Sequence, residues 1–349
     1  MRKSSMLGGA LVALAASMPI GAQAQAIISN GVVQLGVRAL GDLNVDGGTL
    51  AAGSGTGTVG LRSVATNSDS TSPGCTCEGW GVGLRSTGVS GFANSSVGTA
   101  NLGLVSFSST ASTAKSVVNV LDGVGATVLR VTHDYRPNAG TSALYQVDVT
   151  IQNLTGGNLV AADLVYRRVM DWDIPSPGGE IVAIQGVPAA LGLANGSNLY
   201  RTDNNGFNSG NPFSFSTFGL ESVNFTGATG DIGALFDFEF EALADGASRT
   251  FSTFYGVAPS VAAADLARTL ADGDGSDIDI AIYSYGFPRL GSFAGSDGMG
   301  APNTFIFGFG SAGGILVPPP PIDVPEPGTL GLLGAGILGL AALRRRRRS

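Results

Sequence analysis

Two aspartates one residue apart, Asp171 and Asp173, flank Trp172 in the run Arg167-Arg168-Val169-Met170-Asp171-Trp172-Asp173. Paired carboxylates beside an aromatic ring suit sugar chemistry, one acting as acid and the other as base or nucleophile. On a β-strand, side chains two residues apart share a face at roughly 7 Å, within the range such chemistry spans. Arg167 and Arg168 argue the other way. A carboxylate paired with a guanidinium keeps a low pKa and makes a poor general acid. The expectation is therefore a buried Asp/Arg network closing the end of a strand.

Other candidates are weaker. Asp42-x-Asn44-x-Asp46-Gly47 matches the first half of a calcium loop, but the twelfth position holds Gly53 where a bidentate Glu belongs, so an Asn/Asp/Gly turn is expected. Asp272, Asp274, Asp277 and Asp279 form a second acidic cluster, a candidate calcium site whose spacing departs from the loop pattern. Cys75 and Cys77 are the chain's two cysteines, and in an oxidising compartment they are candidates for a local disulfide. They and the single histidine, His133, are too few for a zinc enzyme, and no firm metal site or other cofactor is expected. His133 alternates with Leu129, Val131 and Tyr135, as a strand-face histidine packed among apolar neighbours does. No G-x-S-x-G elbow and no phosphate loop occurs.

The elements that must position these residues read as strands. Tyr145, Val147, Val149 and Ile151 alternate with polar residues, and Val160 to Trp172 alternates again, which predicts an antiparallel hairpin. A second hairpin is predicted between Leu235 to Glu241 and Arg249 to Gly256, across Ala244-Asp245-Gly246-Ala247. Pro259 to Leu270 predicts one helix with Ala262, Leu266 and Leu270 on one face. Ile278 to Tyr285 and Thr304 to Phe309 return to strand alternation. The expected fold is all-β: an antiparallel, sandwich-like ectodomain with one short helix, plus a single C-terminal hydrophobic helix.

Composition excludes other classes. Without Arg2, Lys3, the five terminal arginines and Glu326, 12 basic and 25 acidic residues remain, a net charge near −13. Such a balance repels nucleic acid and anionic polysaccharide. Only 13% of residues are charged while 44% are apolar and 54 are glycine, which suits a turn-rich β-domain rather than a disordered chain.

The two ends carry routing signals. Arg2-Lys3, an apolar run from Met6 to Ile20 and Ala22-Gln23-Ala24-Gln25-Ala26 form the three parts of a secretory signal peptide, with cleavage by signal peptidase fitting after Ala24 or Ala26. At the other end Val324-Pro325-Glu326-Pro327 precedes sixteen uncharged residues, Gly328 to Leu343, and then the basic run Arg344, Arg345, Arg346, Arg347 and Arg348. As a helix the apolar part spans about 24 Å, somewhat short of a hydrocarbon core of about 30 Å, and snorkelling arginines narrow the gap. The basic run acts as a stop on the cytoplasmic side. The expected division is 1–24 signal peptide, 25–317 β-rich ectodomain, 318–324 proline-rich linker and 325–349 sorting and anchor segment.

This tail resembles the PEP-CTERM sorting domain. The resemblance implies an exosortase substrate, with Pro325, Glu326 and Pro327 as recognition residues, transient anchoring in the inner membrane and delivery to the cell surface or exterior. It also implies an association with exopolysaccharide or biofilm. Pro73 to Gly81 and Arg167 to Asp173 look like segments of ectodomains that often precede such a tail, which adds no chemistry. The resulting expectation is a non-enzymatic surface or matrix protein. The alternatives are a carbohydrate-binding or carbohydrate-active ectodomain using Trp172, Trp80 and nearby acids, and a calcium-stabilised adhesin.

Overall fold

The computed structural model describes residues 25–175, 179–192, 198–227, 231–271, 280–288 and 304–317. The strands in chain order begin with β1 (Gln25–Ser29), β2 (Val33–Arg38), β3 (Leu61–Ser63), β4 (Gly79–Leu84), β5 (Val89–Asn94) and β6 (Gly98–Ala100). Then come β7 (Leu102–Ser109), β8 (Ala114–Leu121), β9 (Thr127–Pro137), β10 (Leu144–Asn153), β11 (Leu164–Asp171) and β12 (Glu180–Gln185). After α1 (Val187–Ala190), a single turn, follow β13 (Leu199–Asp203), β14 (Phe225–Gly227), β15 (Gly233–Glu239) and β16 (Ser248–Ala258). Helix α2 (Val261–Leu270), β17 (Ile282–Pro288) and β18 (Thr304–Val317) complete the described chain.

These strands form a nine-stranded sheet in the order β14-β12-β17-β18-β16-β10-β9-β8-β7, a six-stranded sheet β13-β15-β11-β4-β5-β6 and a small sheet β1-β2-β3. The two large sheets pack face to face. Phe236 and Phe238 of β15 meet Phe309 of β18 with ring centroids 4.8 and 4.6 Å apart, and Tyr166 of β11 meets Phe251 of β16 at 5.0 Å. Alternation of side chains along each strand delivers one apolar row to this interface.

Both predicted hairpins are corrected. β10 lies in the nine-stranded sheet between β9 and β16, whereas β11 lies in the other sheet between β15 and β4. β15 and β16 are likewise in different sheets. Two amphipathic strands can bury their apolar rows by pairing edge to edge or by stacking face to face, and alternation alone does not distinguish these.

Helix α2 starts where Ser260 caps it, its hydroxyl accepting the Ala263 amide proton at 3.1 Å. The buried face is Ala264, Ala267 and Ala271, packed on Phe254, Ile306 and Phe287, while Leu266 and Leu270 are exposed. The predicted face was the wrong one, because small residues let the helix lie close on the outer side of the sheet. That packing buries β16 and β18 on both sides. No helix among the described residues is long and apolar enough to cross a membrane; the C-terminal apolar segment, the signal peptide and Asp272 to Asp279 lie outside them.

Candidate functional site: a carboxylate cluster at the end of β11

Strand β11 carries Arg167 and Arg168 at its middle and ends at Asp171. At about 3.3 Å per residue, a side chain cannot fold back to a neighbour four places along the same strand, so each arginine finds its partner across the sheet or the sandwich. Arg167 stands opposite Asp237 of β15 and holds it with two bonds, Nε to Oδ1 at 2.7 Å and Nη2 to Oδ2 at 2.8 Å. Its remaining nitrogen donates to the carbonyls of Ser209, Asn211 and Ser214. Arg201 joins Asp237 from β13. On the opposite face Arg168 donates to Glu78 Oε1 at 2.7 Å; Glu78 also accepts the Tyr255 hydroxyl and the Leu43 amide, each at 2.7 Å. All four charges of these two pairs are fully buried and matched.

The expected network of Arg167 and Arg168 with Asp171 and Asp173 is therefore absent. The aspartates lie past the arginines in a different environment. Asp171 is 1% exposed, and its Oδ1 has no hydrogen-bond partner. Its Oδ2 lies 3.2 Å from Cys75 Sγ, but Cys75 and Cys77 form a disulfide, so that sulfur has no proton to donate. Asp173 lies just beyond β11 and accepts the Cys75 amide proton at 3.3 Å. The nearest oxygens of Asp171 and Asp173 and the Cys75 sulfur lie within 4.8 Å of one another.

Two glycines allow this approach. A Cβ on Gly74, which sits at φ 81°, would lie 2.3 Å from Asp173 Oδ1, and one on Gly206 would lie 2.6 Å from Asp171 Oδ1. Asp173 and Glu180 then line an open cavity of about 600 Å³ together with Ser54, Pro73 and Pro175, within the range of small-molecule sites.

The electrostatics follow from crowding, with no cation among the described residues acting on these carboxyls. Burial pushes the Asp171 carboxyl up to about 9, with Asp173, Asp231 and Glu180 adding repulsion. Burial and then Asp231 raise Asp173 to about 6 against the pull of the Cys75 amide. Glu180 rises to about 7, again chiefly by burial. A protonated and an ionised carboxyl side by side are the components that acid–base chemistry needs.

Other expected residues fall elsewhere. Trp172 is fully buried and donates its indole N–H to Ser284 Oγ at 2.9 Å; Trp80 is fully buried and donates to the Leu40 carbonyl at 2.9 Å. Neither can serve as a platform for a sugar ring, and that part of the carbohydrate reading is corrected. His133 is buried 3.2 Å from the Tyr166 hydroxyl, and burial with the nearby Arg168 charge keeps it neutral, well below its usual range. In the Asp42 to Gly47 turn, Asp42 pairs with Arg38 at 2.9 Å and Asp46 accepts the Thr58 hydroxyl proton. Sequence reasoning missed Glu180 and Asp231 as members of the cluster. One signal was present: Pro73 to Gly81 and Arg167 to Asp173, the two segments singled out together, pack together through Arg168–Glu78 and Cys75–Asp171.

Comparison with known proteins gives one firm match. Residues 323–347 match the PEP-CTERM protein-sorting motif, so the chain carries the signal of exosortase substrates, destined for the cell surface or exterior. No curated protein matches the chain in sequence. Among solved structures, a candidate aldose 1-epimerase from Escherichia coli K12 aligns at 11% identity, covering 86% of this chain and 95% of that one, with a TM-score of 0.32. A galactose mutarotase related enzyme from Lactobacillus acidophilus aligns at 7% identity, covering 82% and 85%, also at 0.32. At that TM-score the alignments carry no argument about this chain's chemistry. The expectation of an ectodomain without catalysis is nonetheless withdrawn. The arginine pairing that spoke against acid–base chemistry at Asp171 and Asp173 is not there, since Asp237 and Glu78 take both guanidinium groups.

Proposed function

We propose that the chain is an exported, exosortase-processed protein whose ectodomain, 25–317, engages carbohydrate at the Asp171–Asp173–Glu180 cavity. The observation that carries this reading is the buried Asp171 carboxylate beside the half-buried Asp173 and Glu180, which line a cavity, with no cation among the described residues paired to them. Elsewhere in the core Glu78 and Asp237 are matched by arginine, and Asp203 and Asp163 accept from neighbouring amides and hydroxyls, whereas Asp171 Oδ1 has no donor. Carboxylates accept hydrogen bonds from neighbouring sugar hydroxyls, and a paired acid and base can move a proton at a ring or glycosidic oxygen. Delivery outward brings such a cavity to the cell's own extracellular polysaccharide.

Routing completes the proposal. Signal peptidase removes 1–24, the apolar part of 325–349 holds the C-terminus in the inner membrane transiently, and exosortase acts near Pro325, Glu326 and Pro327. The proline-rich stretch 318–324 spaces that motif from the ectodomain.

The test uses the full chain in detergent with the producing cell's exopolysaccharide and its component monosaccharides. Binding is read by calorimetry and anomer exchange or chain cleavage by NMR. Binding or turnover by the wild type that falls at least tenfold in Asp173→Asn is expected. If the wild type neither binds nor turns over any of these sugars, the carbohydrate reading is abandoned.

A further inference from the structure

We infer that Asp171 and Asp173, with Glu180 and Asp231 beside them, bind a divalent cation of the calcium type. Three observations carry this. Asp171 is 1% exposed and Oδ1 has no hydrogen-bond partner, while Oδ2 faces a disulfide sulfur that cannot donate. A buried carboxylate oxygen without a donor is costly, and a metal ion satisfies it as a proton donor would. Second, an Asp173 oxygen lies within 4.8 Å of an Asp171 oxygen, close enough for one ion to bridge them. Third, the charges acting on Asp171 are those of Asp173, Asp231 and Glu180, all of one sign.

The donor chemistry selects the ion. Carboxylate oxygens favour hard cations, and the one sulfur in the cluster belongs to a disulfide, so no thiolate is present to hold a soft metal. Asp171 at the end of β11 and Asp173 just beyond it bring the close oxygens, Glu180 and Asp231 add negative charge around them, and water would complete an irregular shell. Calcium tolerates such a shell better than magnesium, which needs near-octahedral geometry. Asp231 is exposed and leaves the outer side of the site open to water or a ligand. The ion would sit beside the cavity that Asp173 and Glu180 line, where it could hold sugar hydroxyls directly.

The site shares residues with the carbohydrate reading but does not depend on it, and the experiment separates the two. Calcium chloride alone is titrated into the chelator-treated full chain in detergent, followed by calorimetry. The expected result is one ion per chain with a Kd on the order of 10⁻⁴ M, the scale of extracellular calcium modules. Asp171→Asn and Asp173→Asn should each weaken binding at least tenfold, with near-UV circular dichroism confirming that both variants fold. No saturable binding by the wild type overturns the inference, as does binding unchanged in both variants, which would place the ion elsewhere, for example at Asp272 to Asp279. Calcium binding without sugar binding leaves the inference standing and removes the carbohydrate reading; sugar binding without calcium binding does the reverse.

Discussion

The middle and the end of strand β11 hold charges in opposite ways. At Arg167 and Arg168 every buried charge meets its opposite within 2.7 Å and the remaining donors and acceptors are used by carbonyls, a tyrosine and an amide. A few residues on, Asp171 is equally buried but faces like charges and a sulfur that cannot donate. Burial is thus the same in both places while partnering differs. The matched region explains why the two sheets and the β13–β15 edge stay locked together. The unmatched region costs stability, and sites that do so are where function is expected.

The largest way to break this comparison is at the matched end. Arg168→Ala leaves Glu78 buried without a cation and should lower stability by about 3–5 kcal/mol, read by chemical denaturation. A loss below about 1 kcal/mol would mean that water or a proton replaces the guanidinium at little cost. The opposite sign is predicted at the other end. Asp171→Asn removes the unpaired buried carboxylate, so the chelator-treated variant should be more stable than the wild type by about 1–2 kcal/mol.

His133 sharpens the matched side through pH. It packs against Trp80 and the Tyr166 hydroxyl, under the positive charge of Arg168, and its folded pKa lies well below 6.5. The unfolded chain therefore binds a proton that the folded chain does not, and this term weakens the fold as pH falls through 6.5. The slope approaches about 1.4 kcal/mol per pH unit at most. His133→Gln should remove that slope; an unchanged profile would show that carboxylates alone set it. The smallest effect belongs to the exposed pair Lys115–Asp134, at 49% and 40% side-chain exposure. Lys115→Ala should change stability by no more than about 1 kcal/mol, since solvent already screens that pair.

Much of the architecture was legible because strand alternation writes burial directly into sequence. Phe305, Phe307 and Phe309 are buried in one row of β18, as are Val147, Val149 and Ile151 on β10. Alternation carries no information about which edge or face a strand meets, and both hairpins were misread for that reason. The helix was legible in extent, Pro259 to Leu270 expected against Val261–Leu270 found, but its buried face was not: leucines outrank alanines in hydrophobicity, while close packing on a sheet selects small side chains. At the site, the acidic pair stood out and its arginine pairing was inferred from sequence nearness. Partners in a sandwich come from across the sheet, so Glu78 and Asp237 could claim the arginines only once the register was known. Trp172 was equally visible, yet only the packing of β17 shows that its ring is sealed and bonded to Ser284.

The most direct test measures stability and sugar binding together in Asp171→Asn, beside the wild type, in one buffer. If the end of β11 is a ligand site kept against the interest of the fold, the variant melts higher in chelator and binds the exopolysaccharide at least tenfold more weakly. A variant that melts lower while binding unchanged would show that Asp171 is a structural residue and that the ligand site lies elsewhere.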